Sequence, residues 1–295
     1  MPIVFLLLTI VSATVQNFFT KIYSGKTEKG VFMFNALSTF FALLVFVVTA
    51  GFRFTFVPGV FLYSFAFALS YFLAVFGLTM AIKTGPLALT ALIESYSMIV
   101  ASVYGVVFLH DPVTPFMTVG FILLVISLTL INLEPKAKGE EKKSENGINL
   151  KWAIFVFIGF AGNGACTVLQ KTQQVWSEKV FGEILYINDF MLGALFIALI
   201  AFIVLSLCTE RKDMKEILSK GWAPAIGRGL SNGLANFFSI LLYAVMIVSL
   251  ANALIAAGCV VLAAIISVVI YKERLNPYQW AGLAVGIASL VFLNL

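Results

Sequence analysis

Apolar runs near bilayer-crossing length alternate with short polar interruptions along the whole chain. Ten are recognised: 2–22, 31–50, 59–81, 86–109, 114–133, 151–171, 183–207, 222–245, 248–271 and 276–295. Each predicts an α-helix, because hydrocarbon offers a backbone amide no partner outside its own helix. The break between the eighth and ninth runs is the least marked, since 246–250 carry almost no polar residue. Pro58, Pro86, Pro115, Pro224 and Pro277 fall at or near the starts of runs, where a missing N–H costs nothing. No proline falls mid-run, so no broken helix is expected. The opening Met-Pro-Ile-Val-Phe lacks a basic stretch and reads as a first span, not a signal peptide.

The pattern also repeats. Residues 91–133 align without a gap on 253–295, with about a dozen identities that include Ala91/Ala253, Pro115/Pro277, Gly120/Gly282, Ser127/Ser289 and Asn132/Asn294. Each copy is a long apolar helix, a polar hairpin and a second apolar helix. Residues 134–150 are charged, contain Gly and Ser and lack apolar periodicity, so they read as a linker between repeats 1–133 and 151–295. Five spans per repeat is an odd number, which forces the two halves into opposite orientations. The expected fold is therefore an all-α integral membrane protein of ten transmembrane helices in two inverted five-helix repeats. Repeated hydrophobic units in one membrane chain mark transporters, whose solute sites form where the repeats meet.

Composition agrees: 61% of residues are apolar and 11% charged, too few polar groups to cover a water-soluble surface. The formal charge of +5 reflects loops, not a nucleic-acid patch. About fifteen Lys and Arg follow odd-numbered spans and about three follow even-numbered ones. This bias predicts odd loops in the cytoplasm and both termini outside. Cys166, Cys208 and Cys259 have no paired spacing and read as small apolar residues.

The hairpins Leu109-His110-Asp111-Pro112-Val113-Thr114-Pro115 and Tyr271-Lys272-Glu273-Arg274-Leu275-Asn276-Pro277 each lead into a Gly-bearing span. Lysines close the first span of each half, at Lys21 and Lys171. In these features the chain resembles the EamA-type drug/metabolite transporter superfamily over essentially its whole length, and each half resembles the small multidrug resistance proteins. The resemblance implies a ten-helix bundle whose central cavity is lined by spans 1, 3, 4, 6, 8 and 9, with termini in the cytoplasm, opposite to the charge bias. Single-half relatives carry a glutamate eight residues before the lysine. Here those positions are Ala13 and Asn163, so that coupling device is absent.

Span 8 carries the clearest polar stripe: Arg228, Asn232, Asn236, Ser239 and Tyr243 at helical spacing. Their repeat equivalents are Ala66, Ser70, Ala74, Gly77 and Ala81, so one wall would be polar and the other small. The stripe reads as cavity lining, against the plainer reading that amides and glycines bond neighbouring helices. Glu94 shares a face with Thr90 and Ser97, and burying its carboxylate mid-bilayer costs about 2.5–3.5 kcal/mol, which points to coupling or pairing. Asp189 is expected either to couple transport or to pair with Arg228 on the next span. Asn163 and Gln16 are expected on the cavity wall. Lys21 and Lys171 are expected to snorkel to headgroups. Most of Phe52, Phe54, Phe56, Phe61, Phe65 and Phe67 are expected to face lipid, while Tyr71 and Tyr96 are the candidates to stack on a cation or ring.

No enzyme constellation appears: His110 is the single histidine, and no HExxH, GxSxG or P-loop pattern occurs. The expected function is secondary transport of a small polar or amphipathic solute, amino-acid-like because Arg228 and a carboxylate would suit a zwitterion. A flippase for a lipid-linked head group and a multidrug or cation exporter are the alternatives. A monomer in the plasma membrane, with no cofactor, metal or nucleic acid, completes the expectation.

Overall fold

The computed structural model describes residues 2–24, 26, 30–84, 93, 96–131, 150–212, 214–269 and 277–293. They contain ten α-helices and no strand: α1 (Pro2–Ser24), α2 (Val31–Thr49), α3 (Pro58–Thr84), α4 (Met98–Phe108), α5 (Pro115–Ile131), α6 (Leu150–Phe181), α7 (Ile187–Thr209), α8 (Met214–Val245), α9 (Val248–Val269) and α10 (Pro277–Leu293). Helices α1, α2, α3, α6 and α7 hold runs long and apolar enough to cross a membrane. Apolar but shorter runs lie in α4, α5, α9 and α10. The break between the eighth and ninth runs falls at Met246–Ile247, between α8 and α9.

Three ends differ from the sequence pattern. Helix α6 passes residue 171, where the apolar run stops, and continues to Phe181. Its 32 residues span about 48 Å, against a hydrocarbon core of about 30 Å. The polar extension persists because its side chains bond protein: Gln174 donates to the Ile240 carbonyl at 2.7 Å and Gln173 to the Leu185 carbonyl at 3.1 Å. Helix α7 begins at Ile187 and not at 183, because Gly182 (φ 79°) and Tyr186 (φ 59°) hold left-handed backbone before it. Helix α8 starts at Met214, which places Pro224 inside a helix despite the sequence expectation. Ile217, fully buried against Gly30, ties this polar first stretch to the protein and keeps it helical.

Contacts divide the chain into two compact units, Met1–Phe72 with Val168–Val245, and Leu73–Thr167 with Met246–Leu295. Each unit draws helices from both sequence halves, and α3 and α6 each contribute to both. In the first unit α8 packs on α1 and α2, and α2 on α7. Gly229 and Gly233, one turn apart, let α8 meet α2 at backbone distance, since a Cβ on either would meet the carbonyl of Ser38 or Ala42. The first N–H groups of α2, on Phe32 and Met33, donate to the Glu210 carboxylate at 3.0 and 2.8 Å. A carboxylate there satisfies orphan donors and opposes the helix dipole. Of the phenylalanine set expected mostly to face lipid, Phe67 is buried edge-on to Phe190, with centroids 5.5 Å apart. Helix α3 turns that side toward α7 through Ser64, which donates to the Phe190 carbonyl at 2.8 Å. The other five phenylalanines of that set are exposed.

In the second unit α5 packs on α10, and α9 on α4 and α10. Ser127 donates to the Gly282 carbonyl at 2.6 Å, and Ser289 to the Gly120 carbonyl at 2.9 Å. These are the positions that the sequence repeat equates. Equivalent residues exchange the same bond between antiparallel helices, which is the signature of a local two-fold axis. The prediction is symmetric: Ser127→Ala and Ser289→Ala should each cost about 0.6 kcal/mol. Thermal unfolding of both variants in one detergent checks it. Markedly unequal losses would show that the two bonds are not equivalent.

Candidate functional site

Helix α8 is the spine of the polar site, bonded at successive turns to three neighbours in the first unit. Arg228 donates to the Asn35 amide oxygen on α2 and sits over the Phe34 ring, 5.2 Å from its centroid. One turn on, the Asn232 amide donates to the Gln16 side-chain oxygen on α1 at 2.7 Å. One turn further, Asn236 accepts from Gln170 on α6 at 2.9 Å and donates to the Asn232 carbonyl at 2.9 Å. Near the helix end Lys171 donates to the Tyr243 carbonyl at 2.6 Å.

The helix directions explain why the bonds fall in this order. Helices α6 and α8 run parallel, so Gln170 and Gln174 meet Asn236 and Ile240 at matching steps. Helix α1 runs antiparallel to α8, and Phe5 stacks near Phe238 at one end while Gln16 meets Asn232 further along. Gly227 makes room for the Phe19 ring between them.

Arg228 is half-buried in the middle of an apolar helix pair. Its guanidinium carries five N–H donors and one of its faces is taken by Phe34. Among the described residues no carboxylate pairs with it. The expected pair with Asp189 does not form. Asp189 lies in the first turn of α7, where its carboxylate accepts the Thr55 N–H at 2.6 Å. Thr55 follows the C-terminal end of α2, whereas Asn35 lies in the first turns of that helix, about 20 Å away along its axis. Consecutive helices are antiparallel, so an early residue of α7 and a middle residue of α8 occupy different depths. Asp189 is a rim residue.

The Lys171 ammonium reaches a backbone carbonyl in the last turn of α8. Carbonyls there carry the negative end of the helix dipole, which suits a cation. Tyr71 lies against Phe67 and edge-on to Phe202, with centroids at 6.3 and 6.0 Å. In the second unit Asn163 donates to Ser97 at 2.7 Å, and the Tyr96 hydroxyl is shared with Thr129 and the Val125 carbonyl. Glu94, Thr90 and residues 134–149 of the linker lie outside the described residues, while Leu150 already belongs to α6.

The structure thus brings Arg228, Asn232, Asn236, Gln16 and Tyr71 into one unit, and Asn163 and Tyr96 into the other. Sequence reading missed Asn35 and Phe34. Their signal was present: a lone amide in the apolar first turns of α2, beside an aromatic ring. Both are buried.

Residues 150–295 match the model of the EamA-like transporter family. No curated protein matches the chain. A solved structure titled only as the crystal structure of a protein shares 12% identity, with 98% of this chain and 94% of that chain covered and a TM-score of 0.76. That likeness concerns the fold alone.

Proposed function

Because residues 150–295 match the model of the EamA-like transporter family, whose members carry small solutes across membranes, we propose a narrower reading in which the chain exchanges an amino-acid-like solute. It would act as a secondary transporter in the plasma membrane, by alternating access through its inverted repeats. Arg228 anchors the solute carboxylate, while the amides of Asn232, Asn236 and Gln16 bond its polar body. The observation that carries this reading is the unpaired charge. A guanidinium held between helices with an amide and a ring, and no described carboxylate, leaves planar donors free for a bidentate anion. An exporter of cations is disfavoured by the same charge.

Counterflow in proteoliposomes tests it. Solutes bearing both an α-amine and a carboxylate should exchange, while the matching decarboxylated amines should not. A site ligand at a hundred times its Kd should also stabilise the purified protein by about 2.7 kcal/mol. Equal exchange of the amines would remove Arg228 from recognition, and competition by lipid head groups alone would favour a flippase.

Coupling belongs to Glu94 in this reading, since it is the one carboxylate of the apolar run 86–109 and its repeat partner is Ala256. Glu94→Gln keeps shape and hydrogen bonding but cannot exchange a proton. The variant should retain counterflow and lose uphill accumulation driven by a pH gradient. Accumulation equal to the parent would make Glu94 structural.

A further inference from the structure

We propose that a groove on the first unit, between α2, the connection 50–57 and α7, binds one anionic phospholipid. An acyl chain lies along its aromatic wall and the phosphate meets Arg53. The groove holds about 470 Å³, and Arg53 is the one polar residue among those lining it. Its walls are Val47 on α2, Phe54 and Phe56 in the connection, and Phe196 and Ile197 on α7.

The sequence builds this groove at the end of a helix. Gly51 closes α2 in a left-handed conformation (φ 61°), and its N–H donates to the Val48 carbonyl at 3.0 Å while that of Phe52 donates to Val47 at 3.0 Å. This pair of bonds turns the chain sharply out of the helix. The Asp189 carboxylate then accepts the Thr55 N–H, which ties the connection to the first turn of α7. Gly193 forms part of the floor, because a side chain there would press on Ser64 and hold α3 away.

One end of the groove is charged and the rest is apolar. Residues Val47 and Leu43 descend one turn along α2, and Leu192 to Ile197 descend along α7 from its first turns. Arg53 therefore stands at headgroup level with apolar walls leading toward the bilayer interior. The Arg53 side chain has no bonding partner among the described residues, and no carboxylate lines the groove. Phe52 and Phe54 are 81% and 56% exposed, so a large aromatic surface beside the cation awaits cover. A guanidinium matches a phosphate in a two-pronged bond, and basic residues at helix ends recognise anionic headgroups. The occupant that satisfies both ends is a lipid with a phosphate and no compensating cation.

The full chain, purified in neutral detergent, is titrated with phosphatidylglycerol or with phosphatidylcholine of identical chains, and retained lipid is read by native mass spectrometry. One phosphatidylglycerol should be retained, about fivefold to tenfold in preference to phosphatidylcholine. Arg53→Gln should erase that preference, Arg53→Lys should keep part of it, and Ile197→Trp, which fills the groove, should reduce retention of both lipids. Glycerol phosphate, which has no chains, should not compete. Arg53 is exposed, so an unchanged melting temperature of Arg53→Gln in lipid-free detergent separates loss of binding from loss of fold. Equal retention of the two lipids, or an Arg53→Gln variant that retains phosphatidylglycerol like the parent, would reduce the groove to ordinary solvation by lipid and overturn the proposal. A concentration-dependent dimer abolished by Ile197→Trp would assign it to a second copy instead, and equally overturn it.

Discussion

Arg228→Met should lower solute exchange by about two orders of magnitude while leaving the helices assembled. Truncating one side of a desolvated charge contact removes roughly 2–5 kcal/mol of binding, and about 3 kcal/mol corresponds to a hundredfold. Stability should change little by comparison. Arg228 has no described carboxylate that its loss would strand, and Asn35, although it loses one bond, keeps its own amide on the Val31 carbonyl at 2.8 Å. Arg228→Lys should behave nearly as badly as Arg228→Met. An ammonium keeps the charge but loses the planar fork and the stack on Phe34. The check is counterflow at matched protein density, with melting temperatures taken from the same preparations. If Arg228→Met melts early yet exchanges solute at the parent rate, the guanidinium is a bolt between α2 and α8, and recognition lies elsewhere.

The largest stability loss is expected at Gly77. In the second unit a Cβ there would fall on the backbone of Gly159, with the Phe155 carbonyl close behind. Two helices that touch through glycine have only main chain to displace, so Gly77→Val should cost at least about 3 kcal/mol, the upper end of ordinary overpacking. Gly227→Ala offers a control. The obstruction there is the outer edge of the Phe19 ring, a side chain that can turn aside, so the loss should be under about 1 kcal/mol. Thermal unfolding of the two variants in one detergent measures the contrast. Similar losses would mean that α3 and α6 can separate locally without penalty.

The helices were legible in the sequence because hydrocarbon imposes a length and a composition on whatever crosses it. Ends were less legible wherever a helix continued into polar sequence. Gln173 and Gln174 resemble loop residues when read in order, yet both are 1% exposed and bonded to carbonyls outside their own helix, at Leu185 and Ile240. Such bonds are invisible to periodicity. The polar stripe on α8 was legible as a stripe, since Arg228, Asn232 and Asn236 recur every fourth residue. What each meets was not, because partners come from α1, α2 and α6, and their registers follow from packing. The Asp189–Arg228 pair failed for a related reason: opposite charges on consecutive helices look adjacent in one dimension, whereas the hairpin sets their depth. Phe34 and Asn35 escaped notice because one aromatic and one amide in an apolar span carry no pattern of their own.

The exchanged serine bonds between α5 and α10 bear on how such a chain could arise. In an ancestor made of two identical halves, one mutation would alter both bonds together, and selection would feel each gain or loss twice. Within a single reading frame the two halves are separate loci, and each can change alone. A shared seam has reason to stay alike on both sides, while positions away from it are free to differ. Ala66 and Arg228, which the repeat equates, are such a pair: one position holds a methyl group and the other a charge.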